Sequence, residues 1–176
     1  MCYISEKKPT ITIDTNLINA KQRFPSMNKL ERWCDEGKIS IVGTFRLKME
    51  IGAYKNKQAS EKERNIPNIA EPCVLDQSFA DAGAYCVGSD NNAPQFWDLA
   101  GIMFPRKDYR RLTKNESNDV MHLMSHYFSG SSIFITNDKK DFISNNRREQ
   151  LKSKFGIIIM TPDEVVKEFK TKFGWT

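Results

Sequence analysis

Cysteine and histidine are scarce in this chain, glycine never clusters, and no long apolar run occurs. The four cysteines, Cys2, Cys34, Cys73 and Cys86, form no CxxC pair and no Cys/His ligand spacing. That argues against a zinc site and against a disulfide framework, and predicts free thiols in a reducing compartment. The longest purely apolar stretch, Ile157 to Met160, is too short to cross a bilayer. Met1 to Thr10 is polar with no signal-like run, so a soluble cytoplasmic protein without membrane association is expected. Glycine-rich phosphate loops, a nucleophile elbow and a nucleophilic cysteine context are all missing. There is no internal repeat, no low-complexity tract and no linker, so 176 residues are expected to form one domain.

What is present is charge, with an excess of cations. Lys and Arg number 27 against 22 Asp and Glu, a formal net charge of +5 that favours a polyanionic partner. The excess is local. Arg106-Lys-Asp-Tyr-Arg-Arg111 interleaves cations with a tyrosine, and Arg147-Arg148 with Lys152 and Lys154 makes a second cluster. Arg110 and Arg111 are the candidate contacts to a nucleic-acid backbone; a solvated face is the alternative for either cluster.

Hydrophobic periodicity predicts alternating strands and helices. Thr10–Asp14 is β-branched and alternating, and reads as a first strand. Pro25 interrupts the helix expected after it, and Ser26 caps a second one with Met27, Leu30, Trp33 and Cys34 on one face, stopped by Gly37. Ile39–Val42 is a second strand, and Thr44 caps a helix carrying Leu47, Ile51 and Tyr54, with Glu50 beside that face. Residues 55–112 are divided by Pro67, Pro72, Pro94 and Pro105 and carry only scattered apolar pieces, Phe79, Tyr85–Val87 and Phe96–Leu99 among them. Thr113-Lys-Asn-Glu116 matches a capping box, which predicts a helix over 114–128 with Val120, Leu123, Met124 and Tyr127 turned inward and Asp119 in its second turn. Ile133–Thr136 is a strand, Asp138–Lys154 is mostly helix, Ile157–Met160 is the last strand, and Thr161-Pro-Asp-Glu164 opens a last helix. The alternation predicts a three-layer α/β/α sandwich around a mainly parallel sheet.

Four acids stand out in that frame: Asp14 and Asp138, each directly after a strand, and Glu50 and Asp119 on helices. Ligand crevices of parallel sheets lie beyond the carboxyl ends of the strands, where an acid usually serves chemistry. Converging carboxylates suit a hard divalent cation such as Mg²⁺, which takes oxygen ligands and keeps several waters. Each acid has a plainer alternative: an Asx-turn for Asp14, an exposed helix position for Glu50, a helix start for Asp119 and a cap for Asp138. His122 and His126, at i and i+4, could join Asp119 in a metal site, but that helix needs its face for the core. Surface or hydrogen-bonded histidines are the favoured assignment.

The order of Ile13-Asp-Thr-Asn16, Glu50 in Phe45-Arg-Leu-Lys-Met-Glu50, Asp119 in Asn118-Asp-Val-Met121, Thr136-Asn-Asp-Lys-Lys-Asp-Phe142 and Gly156-Ile-Ile-Ile-Met-Thr-Pro162 resembles the PIN domain family. The resemblance covers the first 54 residues and residues 113–176; the segment 55–112 carries no motif of the family and reads as an elaboration. It implies a PIN-like fold and a Mg²⁺- or Mn²⁺-dependent endoribonuclease with Asp14, Glu50, Asp119 and Asp138 as metal-binding acids. Asp141 is then an auxiliary acid, and Asn16 and Thr136 are polar groups shaping the site. Small stand-alone proteins of this kind act as toxins held by a protein antitoxin, so RNA and an antitoxin are expected partners, and a homodimer is an open assembly state. The rivals are an inactive PIN-fold RNA-binding module, a structure-specific DNA nuclease, and a phosphoryl-transfer protein with Asp14 as nucleophile. In the last case the usual second Asp is Asn16.

Overall fold

The computed structural model describes residues 8–18, 24–53, 65–74, 92–108 and 111–176. Among these, five strands form one all-parallel sheet: β1 (Thr10–Ile13), β2 (Ser40–Thr44), β3 (Asn68–Ile69), β4 (Ile133–Ile135) and β5 (Ile159–Met160), in the order β3-β2-β1-β4-β5. The chain steps outward from β1 to β2 and β3, then restarts on the other side of β1 with β4 and β5. That reversal makes the gap between β1 and β4 the topological switch point, the place where ligands of parallel sheets usually bind.

Side-chain alternation along the strands divides the core into two layers. Ile11, Ile13, Ile133 and Ile135 point to one face, where Leu30 and Trp33 of α1 (Pro25–Asp35) and Val165 and Phe169 of α6 (Pro162–Phe173) cover them. Phe134 and Ile159 point to the other, against Phe96 and Leu99 of α3 (Ala93–Met103), Leu123 and Met124 of α4 (Lys114–Ser129) and Leu151 of α5 (Arg147–Phe155). The expected three-layer α/β/α sandwich is therefore what forms, with α2 (Phe45–Ala53) leaving directly from β2.

Local signals placed most element ends. Thr113 and Thr161 both make reciprocal capping boxes, with Glu116 and Glu164. Gly130 ends α4 in the left-handed region at φ 66°, which a residue with a Cβ adopts only at a cost. Thr44 caps α2 by accepting from Leu47 N at 3.3 Å. Other expectations need correction. Pro25 opens α1 at its first turn rather than interrupting a helix, because a first-turn residue needs no amide donor, and Phe24 rather than Ser26 is the N-cap. The expected helix from Asp138 is divided: a π-helical turn, Lys139–Ile143, is separated from α5 by Asn145 and Asn146, both at positive φ. Tyr127 faces out instead of in, at 39% exposure, and packs edge-on against Phe128 and Phe155. Cys34 is a free thiol but Cys73 is disulfide-bonded, which overturns the expectation of four free thiols and removes that argument for a reducing compartment. Phe79 and Tyr85–Val87 lie outside the described residues. Among the described residues no helix is long and apolar enough to cross a membrane.

One polar feature fixes α4 over the sheet. His126 Nδ1 lies 2.9 Å from Thr12 Oγ1 of β1, and one turn earlier His122 Nδ1 lies 2.5 Å from Thr44 Oγ1 of β2. Both histidines are buried and hydrogen-bonded rather than at the surface. They clip one helix to two adjacent strands through a buried Thr of each. Burial pushes the His126 pKa down to about 4, so this clip carries a neutral ring. Thr12→Val should lower stability by about 1 kcal/mol by orphaning a buried nitrogen, whereas adding His126→Leu should recover part of the loss. Urea melts of both variants measure this.

Candidate active site at the sheet switch point

Asp14 follows β1, and its backbone N–H donates to Ile135 O at 3.0 Å, tying it to the end of β4 across the switch point. Its side chain caps nothing, so the Asx-turn alternative fails. Instead one carboxylate oxygen, Oδ2, accepts from Thr136 Oγ1 at 2.5 Å and from Asn16 Nδ2 at 2.8 Å. Asn16 also reaches Thr136 Oγ1 at 3.1 Å, and Asp138 N donates to the same hydroxyl at 2.9 Å. Asn16 and Thr136 thus hold the Asp14 carboxylate and tie the β1 and β4 loops together.

Glu50 enters from α2. Its two oxygens take one donor each: Thr15 Oγ1 at 2.5 Å and Asn118 Nδ2 at 2.9 Å, with His122 Nε2 3.6 Å away. Burial raises its pKa, but His122, Thr15 and Asn118 together outweigh that and bring it down to about 2. Glu50 is therefore ionised at neutral pH and held in one orientation. For Asp14, burial is the largest influence and pushes the pKa up, against the opposing effects of His122 and Thr136.

Asp119 comes from α4, partly buried, and no described residue donates a hydrogen bond to it or pairs with it. Burial first, then the charges of Asp14, Glu50, Asp141 and Asp138, raise its pKa to about 8. Acids from α2, α4 and the loops after β1 and β4, distant in sequence, thus repel one another at one end of the sheet. Asp138 caps the π-helical turn by accepting from Asp141 N at 3.0 Å, so its plainer role as a cap is real and coexists with its place in the group. Asp141 lies 3.8 Å from Arg147 Nη1.

The donor set is all oxygen and carries excess negative charge around an unpartnered carboxylate, which fits a hard divalent cation. Among the described residues no three His, Cys, Asp or Glu side chains already close around an ion position. Mg²⁺ does not need that, since one or two carboxylates and retained waters complete its shell.

Sequence reasoning missed Thr15, Asn118, His122 as a neighbour of Glu50, and the buried pair Arg46–Glu71 behind it. The available signals were positional. Asn118 and His122 share a face at i and i+4, and Arg46 precedes Glu50 by four residues on α2. Of the basic candidates, Arg111 is exposed just before α4, and Arg110 lies outside the described residues. Three of the four cations of the second basic cluster are engaged within the chain: Arg147 with the Lys140 carbonyl, Arg148 in a fork on Glu164 at 2.9 and 3.0 Å, and Lys154 with Asp98 at 2.9 Å, while Lys152 is exposed. No protein-family model matches the sequence, and no curated protein matches it.

Proposed function

We propose that the chain is a PIN-like endoribonuclease that uses Mg²⁺ or Mn²⁺. The observation that carries this is the set of mutually repelling carboxylates, Asp14, Glu50, Asp119, Asp138 and Asp141, gathered at the switch point of a parallel sheet with Asp119 pushed up to about 8. A cation bound there would lower the pKa of its water and offset charge developing on a phosphodiester. The chain's own residues do the positioning. Thr136 and Asn16 aim Asp14, Thr15 and Asn118 aim Glu50, and Asp119 holds a proton at neutral pH, which would pass to solvent if a cation were held there. Asp141, drawn toward Arg147, is the auxiliary acid. Purified protein should cleave labelled single-stranded RNA with Mn²⁺ and not with chelator. Tight RNA binding without cleavage would support the inactive RNA-binding alternative, and preferential cleavage of DNA the DNA-nuclease one.

RNA is the proposed partner of the crevice mouth, and a protein antitoxin would be a regulator of the same face. Helix α4 runs antiparallel to β1: His126 stands over mid-strand Thr12, His122 over the end of β2, and Asp119 beyond it. Arg111 is exposed in the segment just before α4, the helix that carries Asp119. Arg110→Ala with Arg111→Ala should weaken RNA binding and flatten its log–log salt dependence by about 1.4, at ~0.7 for each single-strand phosphate that is no longer neutralised. An unchanged slope would put the RNA elsewhere.

A further inference from the structure

Behind Glu50 lies a chain of buried polar groups. Arg46, 3% exposed, forks onto Glu71, 2% exposed, through Nε at 2.7 Å and Nη2 at 2.8 Å. Its remaining nitrogen, Nη1, donates to Asn118 Oδ1 at 2.9 Å, and Asn118 Nδ2 donates to Glu50 Oε1 at 2.9 Å. The Asn118 amide has two possible orientations, and the guanidinium admits only one. With Oδ1 facing Arg46, the NH₂ must face Glu50. Glu71 neutralises Arg46, so what reaches Glu50 is orientation rather than charge. Arg46 and Glu50 sit one turn apart on α2, while Asn118 adjoins Asp119 on α4, so the same three groups also fix the spacing of the two helices that bring Glu50 and Asp119 together.

We propose that Asn118 is a positioning residue for the acidic site, with its amide set by the Arg46–Glu71 pair, so that Glu50 is presented to a divalent cation in one fixed rotamer. This rests on the metal-dependent reading above. A partner that only orients a metal-binding carboxylate typically contributes 10- to 100-fold in metal affinity or activity. Asn118→Leu removes both bonds at similar volume. It should raise the Mn²⁺ dissociation constant about tenfold, measured from the free-Mn²⁺ electron paramagnetic resonance signal, and lower kcat about tenfold at saturating Mn²⁺. KM for RNA should stay within twofold, since Asn118 is buried and touches no substrate surface.

Leaving Arg46 Nη1 without an acceptor could unfold the Leu variant, so Asn118→Asp is the companion. It keeps an acceptor for Arg46 and replaces the donor facing Glu50 by a second carboxylate, so it should fold with a melting temperature lowered by that repulsion and still lose kcat about tenfold. In either folded variant, a Mn²⁺ dissociation constant and kcat both within twofold of wild type would overturn the assignment while leaving the nuclease reading intact. Wild-type protein that takes up no Mn²⁺ would overturn the metal site itself, and the positioning role with it.

Discussion

Asp14→Asn should reduce RNA cleavage by at least about a hundredfold, a barrier increase of about 2.7 kcal/mol, with little change in RNA affinity. The local geometry makes this a clean test of charge. The two side-chain hydrogen bonds to it, from Thr136 and Asn16, end on the same oxygen, and the Thr15 backbone N–H donates to the carboxylate as well. An asparagine whose carbonyl takes the place of that oxygen keeps both side-chain bonds while removing the negative charge. Glu50→Gln is nearly as conservative, because a glutamine can accept from Asn118 and turn its NH₂ to the Thr15 hydroxyl. Asp138→Asn keeps the cap on the turn after β4, since asparagine caps as well as aspartate. Each of these, and Asp119→Asn, should therefore fold and fail in turnover. Asp141→Asn should cost less, because its carboxylate is already shared with Arg147. Single-turnover rates with labelled RNA at saturating Mn²⁺ measure the series. An Asp14→Asn protein that cleaves at the wild-type rate would sink the proposed mechanism, and an Asp141 variant as impaired as the others would show that the acids are wrongly ranked.

Much of this arrangement is legible in the sequence, for reasons that differ by element. The strands before Asp14 and Asp138 are short β-branched runs, and a strand that ends in Asp-Thr-Asn or Thr-Asn-Asp announces both its end and the polar cluster beyond it. The capping box at Thr113 sets the phase of α4, and with it the face on which Asp119 lies. Tyr127 departs from expectation because the inward face of the last turn of α4 is taken by His126, bonded to Thr12 of the central strand, which leaves Tyr127 to pack on Phe128 and Phe155. Pro25 misleads because proline has two opposite meanings: it breaks a helix interior and opens a first turn. Segment 92–108 is opaque for another cause: α3 is apolar on most sides, so no periodic stripe distinguishes it from a buried strand. The relay through Arg46, Glu71 and Asn118 joins residues 25 to 72 positions apart, a pairing that only the tertiary fold creates.

Without metal, the acid cluster should cost stability, and the cost should have a defined pH window. Asp119 has a folded pKa near 8 against an ordinary 3.8. The folded state therefore holds a proton that the unfolded chain has released, and stability falls as pH rises through the folded value. Two groups act in the opposite sense. His126, neutral in the fold down to about 4, makes stability fall as pH drops below its ordinary 6.5, and Glu50, near 2, does the same below 4.5. From pH 6.5 to 8 only Asp119 among these three titrates differently in the two states, and apo stability should drop there by about 2 kcal/mol at most, at ~1.4 kcal/mol per proton per pH unit. Below pH 6.5 His126 cancels the trend, so the apo optimum should lie on the mildly acidic side of neutral. Asp119→Asn removes the titrating group while its amide can still reach solvent at a partly exposed position. It should flatten the pH 6.5–8 slope and raise the apo melting temperature at pH 8. A cation that binds only the folded site should stabilise the wild type by about 1.4 kcal/mol at tenfold its dissociation constant, and the Asn variant by less. Thermal melts of both proteins at fixed ionic strength, across pH 6.5–8 with and without Mn²⁺, decide it. A flat wild-type profile, or a variant that melts lower without metal and gains as much from Mn²⁺, would make Asp119 a structural residue and separate it from the other acids.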